Sequence, residues 1–373
     1  MRREVFMAEK MNIPLMKVYV DDEIKKAVLE VLDSGWYILH EKTREFERKF
    51  AKFCGVKNAV CVSSGTAAIF LSLQALGIKH GDEVIIPSFS FIASASPIIE
   101  VGAKPVFVDI EEKTYNIDPE EIKKALTKRT KAIMPIHLYG HPANMEPILE
   151  IAQENDLHVV EDACQAHGAE YKGRRVGGIG HVACFSFYPS KNMTVCGDGG
   201  AVVTNDEEIA ETVRKLRDHG RREKYIFDMK GYNLRFNEIQ AAIGIKQLEK
   251  LPVWNETRRR IAEMYNQALE GLVITPVEEP WAKHVYHLYV IRAKRRDELK
   301  EFLSRHGVST LVHYPVPIHK QPAITSVLGT QPTLKNTEKV ANEVLSIPMY
   351  PRLTKREVEY VSDKIREFFE ARK

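Results

Sequence analysis

Short runs of β-branched and aliphatic residues recur through the first two thirds of the chain, and stretches with helical spacing separate them. The runs are 59–63, 83–87, 105–110, 132–137, 158–162, 182–187 and 201–204, with amphipathic segments at 67–76, 119–126 and 145–155. Strands alternating with helices predict an α/β unit built on a mainly parallel sheet. Val84-Ile85-Ile86 and Val159-Val160 are apolar at every position, as expected where helices cover both faces of a sheet. Segments 207–216 and 236–251 read as long helices. Past Pro252 the pattern changes. Residues 255–269 are helical, 284–292 alternate like a strand, 297–305 are helical, 309–314 form a strand and 355–372 form a charged amphipathic helix. The expectation is a large α/β domain over 1–251, N-terminal segment included, and a smaller α+β domain over 252–373. A helix running unbroken through Pro252 is the alternative to a break there.

Composition narrows the function classes. The chain has 373 residues, 44% of them hydrophobic, and a formal net charge of +3. That is enough for two packed domains, and the balance of charge argues against nucleic acid or a membrane surface as partner. The basic stretch 217–224 is interrupted by Asp218 and Glu223, so it reads as a solvated face with cations to offer an anionic substrate. Five cysteines, Cys54, Cys61, Cys164, Cys184 and Cys196, lack paired metal-ligand spacing. Neither a metal site nor a disulfide framework is expected, and reduced thiols suit a cytoplasmic protein. Residues 1–12 lack a signal-peptide core, and no apolar run is long enough to cross a bilayer.

Candidate chemistry gathers at the carboxyl ends of the predicted strands, where open α/β sheets bind ligands. Lys191 follows a strand and a Pro-Ser turn in Phe185-Ser186-Phe187-Tyr188-Pro189-Ser190-Lys191. A lysine in a desolvated pocket loses its proton and attacks aldehydes; in isolation it is equally a solvated loop lysine. Ser63-Ser64-Gly65-Thr66-Ala67-Ala68 sits between a strand and a helix and offers either a phosphate cup of backbone N–H groups or a plain helix cap. Asp162 closes an apolar strand, where it either holds a protonated pyridine nitrogen or caps a helix. Gln165 reads as a partner for a ring oxygen or as surface. Ser186 stands near enough to share a phosphate with Thr66. Phe91 reads as a ring for stacking or as core. Taken together, an amine, a carboxylate, a phosphate cup and an aromatic ring are what pyridoxal 5′-phosphate (PLP) needs. Gly-x-Gly-x-x-Gly after a first strand and the Gly-x-Ser-x-Gly elbow are both missing.

Eight segments carry a family resemblance: SSGTAAI, GDEVIIPSFSFIASA, GAKPVFVDI, VVEDACQAHGA, FSFYPSKNMTVCGDGGAVVTND, GYNLRFNEIQAAIG, VHYPVPIHKQPA and LSIPMYPRLT. In this order they resemble the DegT/DnrJ/EryC1/StrS aminotransferases, sugar-nucleotide enzymes of the aspartate-aminotransferase superfamily, from about Ile13 to the C-terminus. The resemblance implies the PLP-dependent transferase fold type I. It implies that Lys191 bonds the cofactor, that Asp162 meets its pyridine nitrogen and Gln165 its phenolic oxygen. Gly65, Thr66 and Ser186 would hold the phosphate, and Phe91 would stack on the ring. Asn233 resembles an asparagine that reaches the phosphate from a neighbouring subunit, which implies a homodimer with shared active sites. Tyr314 and His319 resemble residues of the sugar cleft.

The chain departs from the family at His40, where relatives often have glycine. This bears on a turn near the substrate opening and on reading Trp36 and Tyr37 as cleft residues. Cys196 before Gly197 is a second departure. Dehydratases of the family carry histidine in place of Lys191, so the lysine implies amino transfer: an amino acid, glutamate before glutamine, gives its nitrogen to a nucleotide-linked keto sugar. GDGG after the lysine and the HYPVPIH segment resemble the branch acting on 3-keto sugars, whereas 4-keto enzymes more often show GEGG. A 4-keto or cyclitol aminotransferase, a sugar dehydratase and a non-catalytic regulator are the competing readings.

Overall fold

A computed structural model describes residues 11–370. Its centre is a seven-stranded sheet: β1 (Asn58–Val62), β2 (Glu83–Pro87), β3 (Lys104–Val108), β4 (Thr130–Ile133), β5 (His158–Asp162), β6 (Val182–Ser186) and β7 (Gly200–Thr204). The spatial order is β1-β7-β6-β5-β4-β2-β3. The pairings from β3 through β6 are parallel, and β7 runs antiparallel to both β6 and β1. Every residue of β1, β2 and β7 is buried, which is why the interiors of these strands read as apolar runs. On one face Phe46, Phe50 and Ile151 from flanking helices meet Phe185 and Val203. On the other, Ala68, Leu71 and Val213 meet Val60 and Val202. Each large side chain buried this way contributes about 1.5–3 kcal/mol.

The stretch around Pro252 forms one helix, Glu238–Leu269, with the proline inside it. Its first half packs against the sheet layer through Ala241 and Ile245. Its second half enters a separate core in which Tyr265 and Leu269 meet Tyr289, Ile347 and Ile365. Burial at both ends outweighs the hydrogen bond and the close fit that an interior proline costs, about 3 kcal/mol. Ile13, assigned with the N-terminal segment to the large unit, packs in this second core instead. Its backbone bridges Val308, with its N–H on the Gly307 carbonyl at 2.8 Å.

Three sequence expectations change. The run 132–137 stops as a strand at Ile133, because Pro135 has no N–H for the ladder; pairing resumes only as a bridge from Ile136 to Asp162. Residues 284–288 are not a strand; Tyr286 adopts φ 44°, and regular pairing spans β8 (Tyr289–Arg292) against β9 (Val344–Ile347). Residues 309–314 make a single bridge, Leu311 to Ser346, and otherwise form a loop. The C-terminal helix is Lys355–Glu370; the last residues expected in it, like most of the 1–12 stretch, lie outside the described residues.

Candidate active site

Asp162 is the last residue of β5, and its strand neighbours hold its backbone: its N–H meets the Pro135 carbonyl at 2.9 Å. The side chain is 4% exposed. Its Oδ1 accepts from the Cys164 N–H at 3.1 Å and its Oδ2 from the Ser94 hydroxyl at 2.7 Å. Lys191 lies beyond the end of β6 on a tight turn, its N–H on the Tyr188 carbonyl at 2.9 Å. The neighbouring Asn192 anchors that turn, donating to Asn255 Oδ1 at 2.9 Å and to the Val285 carbonyl at 3.0 Å. Burial lowers the basicity of the Lys191 amine, and the nearby Cys164 and Asp162 only partly oppose this.

Lys191, Asp162, Gln165 and Tyr314 border one cavity of about 490 Å³, and Gly65, Thr66, Ser186 and Phe91 border it too. Ser64 caps the helix Gly65–Ala75 by accepting from the Ala67 N–H. The first N–H groups, on Gly65 and Thr66, have no place in the helical ladder and remain for an anion. Gly65 is required by space: a Cβ there would stand 2.7 Å from Ser186 Cβ and 3.0 Å from Cys164 Sγ. Gln165 is oriented by chemistry. Its Oε1 accepts the Tyr139 N–H at 2.9 Å, so its NH₂ must face the other way, where it donates to the Tyr314 hydroxyl at 3.2 Å. Phe91 is 54% exposed, with its ring centroid 6.0 Å from that of Tyr314. His313, which also borders the cavity, is held neutral, its pKa lowered to about 4 by burial and by the Lys191 charge.

Two expected residues lie elsewhere. His319 is buried outside the cavity: its Nδ1 meets the Ser88 hydroxyl at 2.6 Å and its Nε2 meets Glu338 at 3.4 Å. Both ring nitrogens are engaged, so His319 anchors the 313–320 segment and does not border the cavity. Asn233 is exposed, accepts from Arg235 at 3.1 Å and does not border its own cavity. The His40 departure is also resolved. The left-handed residue is Leu39, φ 47°, while His40 has φ −107° and stacks on Trp36 at 4.5 Å. No glycine is needed at position 40. Trp36 and Tyr37 are exposed and do not border the cavity.

The GDGG segment divides into two roles. A Cβ on Gly200 would meet the Ser64 carbonyl oxygen at 2.3 Å, and one on Gly199 would meet Val195 and Phe236 within 2.9 Å. Those glycines serve close packing; Asp198 borders the cavity. Ser94, Asn192 and Tyr139 escaped the sequence reading. Ser94 did have a signal, a small hydroxyl residue in the turn that follows β2.

This donor set fits PLP. It offers a desolvated amine, a buried carboxylate, spare N–H groups at a helix start and a glycine whose side-chain space is taken. The DegT/DnrJ/EryC1/StrS aminotransferase family profile matches residues 18–366. The chain belongs to that family. It is similar to dTDP-3-amino-3,4,6-trideoxy-alpha-D-glucose transaminase of Streptomyces venezuelae, 46% identical over 350 residues, 93% of this chain and 92% of the relative. It is also similar to a protein of Geobacillus stearothermophilus named pleiotropic regulatory protein, 44% identical over 368 residues, 96% and 99% of the two chains. Among solved structures, S. venezuelae DesV in complex with a ketimine intermediate superposes with a TM-score of 0.94 at 44% identity, covering 96% of this chain and 99% of that one. NtdA of Bacillus subtilis with bound cofactor PMP gives 0.87 at 33% identity, covering 94% and 82%.

Proposed function

We propose that this chain is a PLP-dependent aminotransferase that converts the C3 carbonyl of a nucleotide-linked keto sugar to an amine, with glutamate as donor. The observation that carries the reading is the pairing, in one cavity, of a lysine made less basic by burial with a carboxylate fixed through both oxygens. The cofactor, when bound, supplies an aldehyde for the amine and an electron sink for the carbanion. Asp162 would face the ring nitrogen and favour its protonated form. The Gln165 NH₂, in the orientation the Tyr139 N–H enforces, would face the phenolic oxygen. Gly65, Thr66 and Ser186 would hold the phosphate, and Phe91 would cover the ring. The Lys191 amine would hold the cofactor and, when free, would accept and return a proton at Nζ; its lowered basicity raises the fraction of amine free to do so. Asn233, exposed and outside its own cavity, serves the partner's site in a homodimer. Among the described residues no helix is long and apolar enough to cross a membrane, and the cytoplasm is the compartment we assign.

Support for C3 comes from the S. venezuelae relative, named for a 3-amino sugar, and from Asp198 at the position where the branches differ. The regulatory name of the Geobacillus relative gives the desolvated lysine no work. The test is to add glutamate to holoprotein and follow the visible spectrum, then supply nucleotide-linked 3-keto and 4-keto sugars and identify products by mass and NMR. Glutamate should convert the bound cofactor to its amine form, and the 3-keto sugar should be aminated. The variant Lys191→Ala should bind cofactor without turnover; turnover by it would end this reading, and amination of the 4-keto sugar alone would move the chemistry to C4.

A further inference from the structure

We propose that Ser94 is a positioning residue for Asp162 and that Ser90 orients Ser94, so that a relay of two hydroxyls fixes the carboxylate facing the cofactor's ring nitrogen. The inference rests on the cofactor reading above. An ionised carboxylate only accepts, so the 2.7 Å contact to Oδ2 takes the single proton of the Ser94 hydroxyl. The second contact of Ser94, to the Ser90 hydroxyl at 3.2 Å, must then be donated by Ser90. The direction Ser90 to Ser94 to Asp162 follows from proton counting alone. Both serines are 3% exposed and border the cavity.

The relay does more than satisfy a buried charge. The terminal torsion of an aspartate is broad and roughly two-fold, so one hydrogen bond leaves the carboxylate free to turn. Here the two oxygens are held from two different strand ends: Oδ1 by the turn after β5, through Cys164, and Oδ2 by the turn after β2, through Ser94. That second turn is the short 3₁₀ segment Ile92–Ser94, closed by the Ser94 N–H on the Phe91 carbonyl at 3.0 Å. Phe91, the proposed stacking ring, and Ser94, the carboxylate's support, therefore move as one piece. The same few residues set the ring's cover and the direction of the carboxylate at its edge.

The experiment loads PLP labelled with ¹⁵N in the ring into wild type, Ser94→Ala, Ser94→Thr and Ser90→Ala. It reads the nitrogen chemical shift at neutral pH and the PLP dissociation constant of each apoprotein. Wild type should show a protonated nitrogen. Ser94→Ala should move the shift toward unprotonated pyridine and weaken PLP about tenfold, the scale of one hydrogen bond to a charged group. Ser90→Ala should shift it the same way with about a threefold loss, as a neutral hydrogen bond one step removed. Ser94→Thr, which keeps the hydroxyl, should stay with wild type. An unchanged shift and affinity in Ser94→Ala, or a threonine variant that behaves like alanine, would overturn the relay. Should Ser94→Ala fail to fold, Ser90→Ala decides: an unchanged nitrogen signal there overturns the proposal. Failure of the cofactor reading looks different, since wild type itself would then take up no PLP.

Discussion

Glu161→Gln should destabilise the protein far more than its chemical modesty suggests. Glu161 is fully buried beside Asp162, and its Oε1 accepts from the N–H groups of Ile179 and Gly180 at 2.8 and 2.7 Å. Its Oε2 accepts from the Gly177 N–H at 2.9 Å and from His137 Nε2 at 3.0 Å. His137 has no freedom to change tautomer. Its Nδ1 accepts the Ala143 N–H at 3.0 Å, so the ring proton must sit on Nε2. A carboxamide keeps one acceptor and points an NH₂ at two N–H donors whichever way it turns. Two hydrogen bonds to a charged group are lost, each about 1.5–3 kcal/mol, while the neutral side chain recovers some desolvation. A net loss of about 3 kcal/mol follows. At about 2.1 cal/mol/K per residue, a chain of 373 residues loses roughly 4 °C in Tm.

The pH dependence gives a second reading of the same variant. Burial alone raises the Glu161 carboxyl pKa, but His137 and the Gly177 and Gly180 N–H groups outweigh it and hold the value below normal. A folded-state pKa below the unfolded value of about 4.3 means the stabilisation is fully present above that pH. It is lost as pH falls through the folded value. The gap between wild type and Glu161→Gln, followed by calorimetry at a fixed scan rate, should be widest at neutral pH and should narrow below about pH 4. A variant melting within about 1 °C of wild type at neutral pH, or a gap that does not narrow in acid, would refute the assignment.

Gly65→Ala should fold but bind PLP at least about tenfold more weakly, since its Cβ displaces Ser186 from the phosphate cup; quenching of intrinsic fluorescence on PLP titration checks it. Arg217→Met should cost about 3–5 kcal/mol, because the guanidinium spans Glu47 and the Cys61 carbonyl at a nearly buried site. Adding Glu47→Gln should restore part of that loss in denaturant melts, and purely additive losses would show that the pair does not couple.

What the sequence made legible was local. Strands apolar on both faces announced a covered sheet, and ionisable residues at the ends of such strands, Lys191 and Asp162, announced a site, because a charge beside a buried run needs a partner. What it hid was long-range. Glu238 accepts from the backbone of His40, Lys42 and Thr43, nearly two hundred positions away, and so caps the helix Glu41–Cys54 that has no cap of its own. This explains why His40 tolerates its place, and no local pattern reveals it. The anchoring of His319 was hidden for the same reason: its partner Ser88 lies 231 positions upstream. Arg217 read as part of a solvated basic stretch because Glu47, which buries it, is 170 positions distant. At Pro252 the sequence left a break and an unbroken helix both open, because propensity speaks for the turn it occupies and not for the two cores that hold the helix Glu238–Leu269 at its ends.

The GDGG segment shows how structure changes the weight of a motif. In sequence its four residues look like one clue to the carbon that receives nitrogen. In space Gly199 and Gly200 are fixed by van der Waals distance: any side chain at Gly200 would strike the Ser64 carbonyl and the Gly65 N–H, the backbone that forms the phosphate cup. An enzyme using this cup needs a glycine there whatever sugar it binds. Only Asp198 borders the cavity and is also exposed, so only there can one carboxylate replace another without moving the cup. Exchanging aspartate for glutamate lengthens that side chain by one methylene at the cavity border. Any discrimination between a C3 and a C4 carbonyl that this segment exerts must therefore pass through the reach of that single carboxylate.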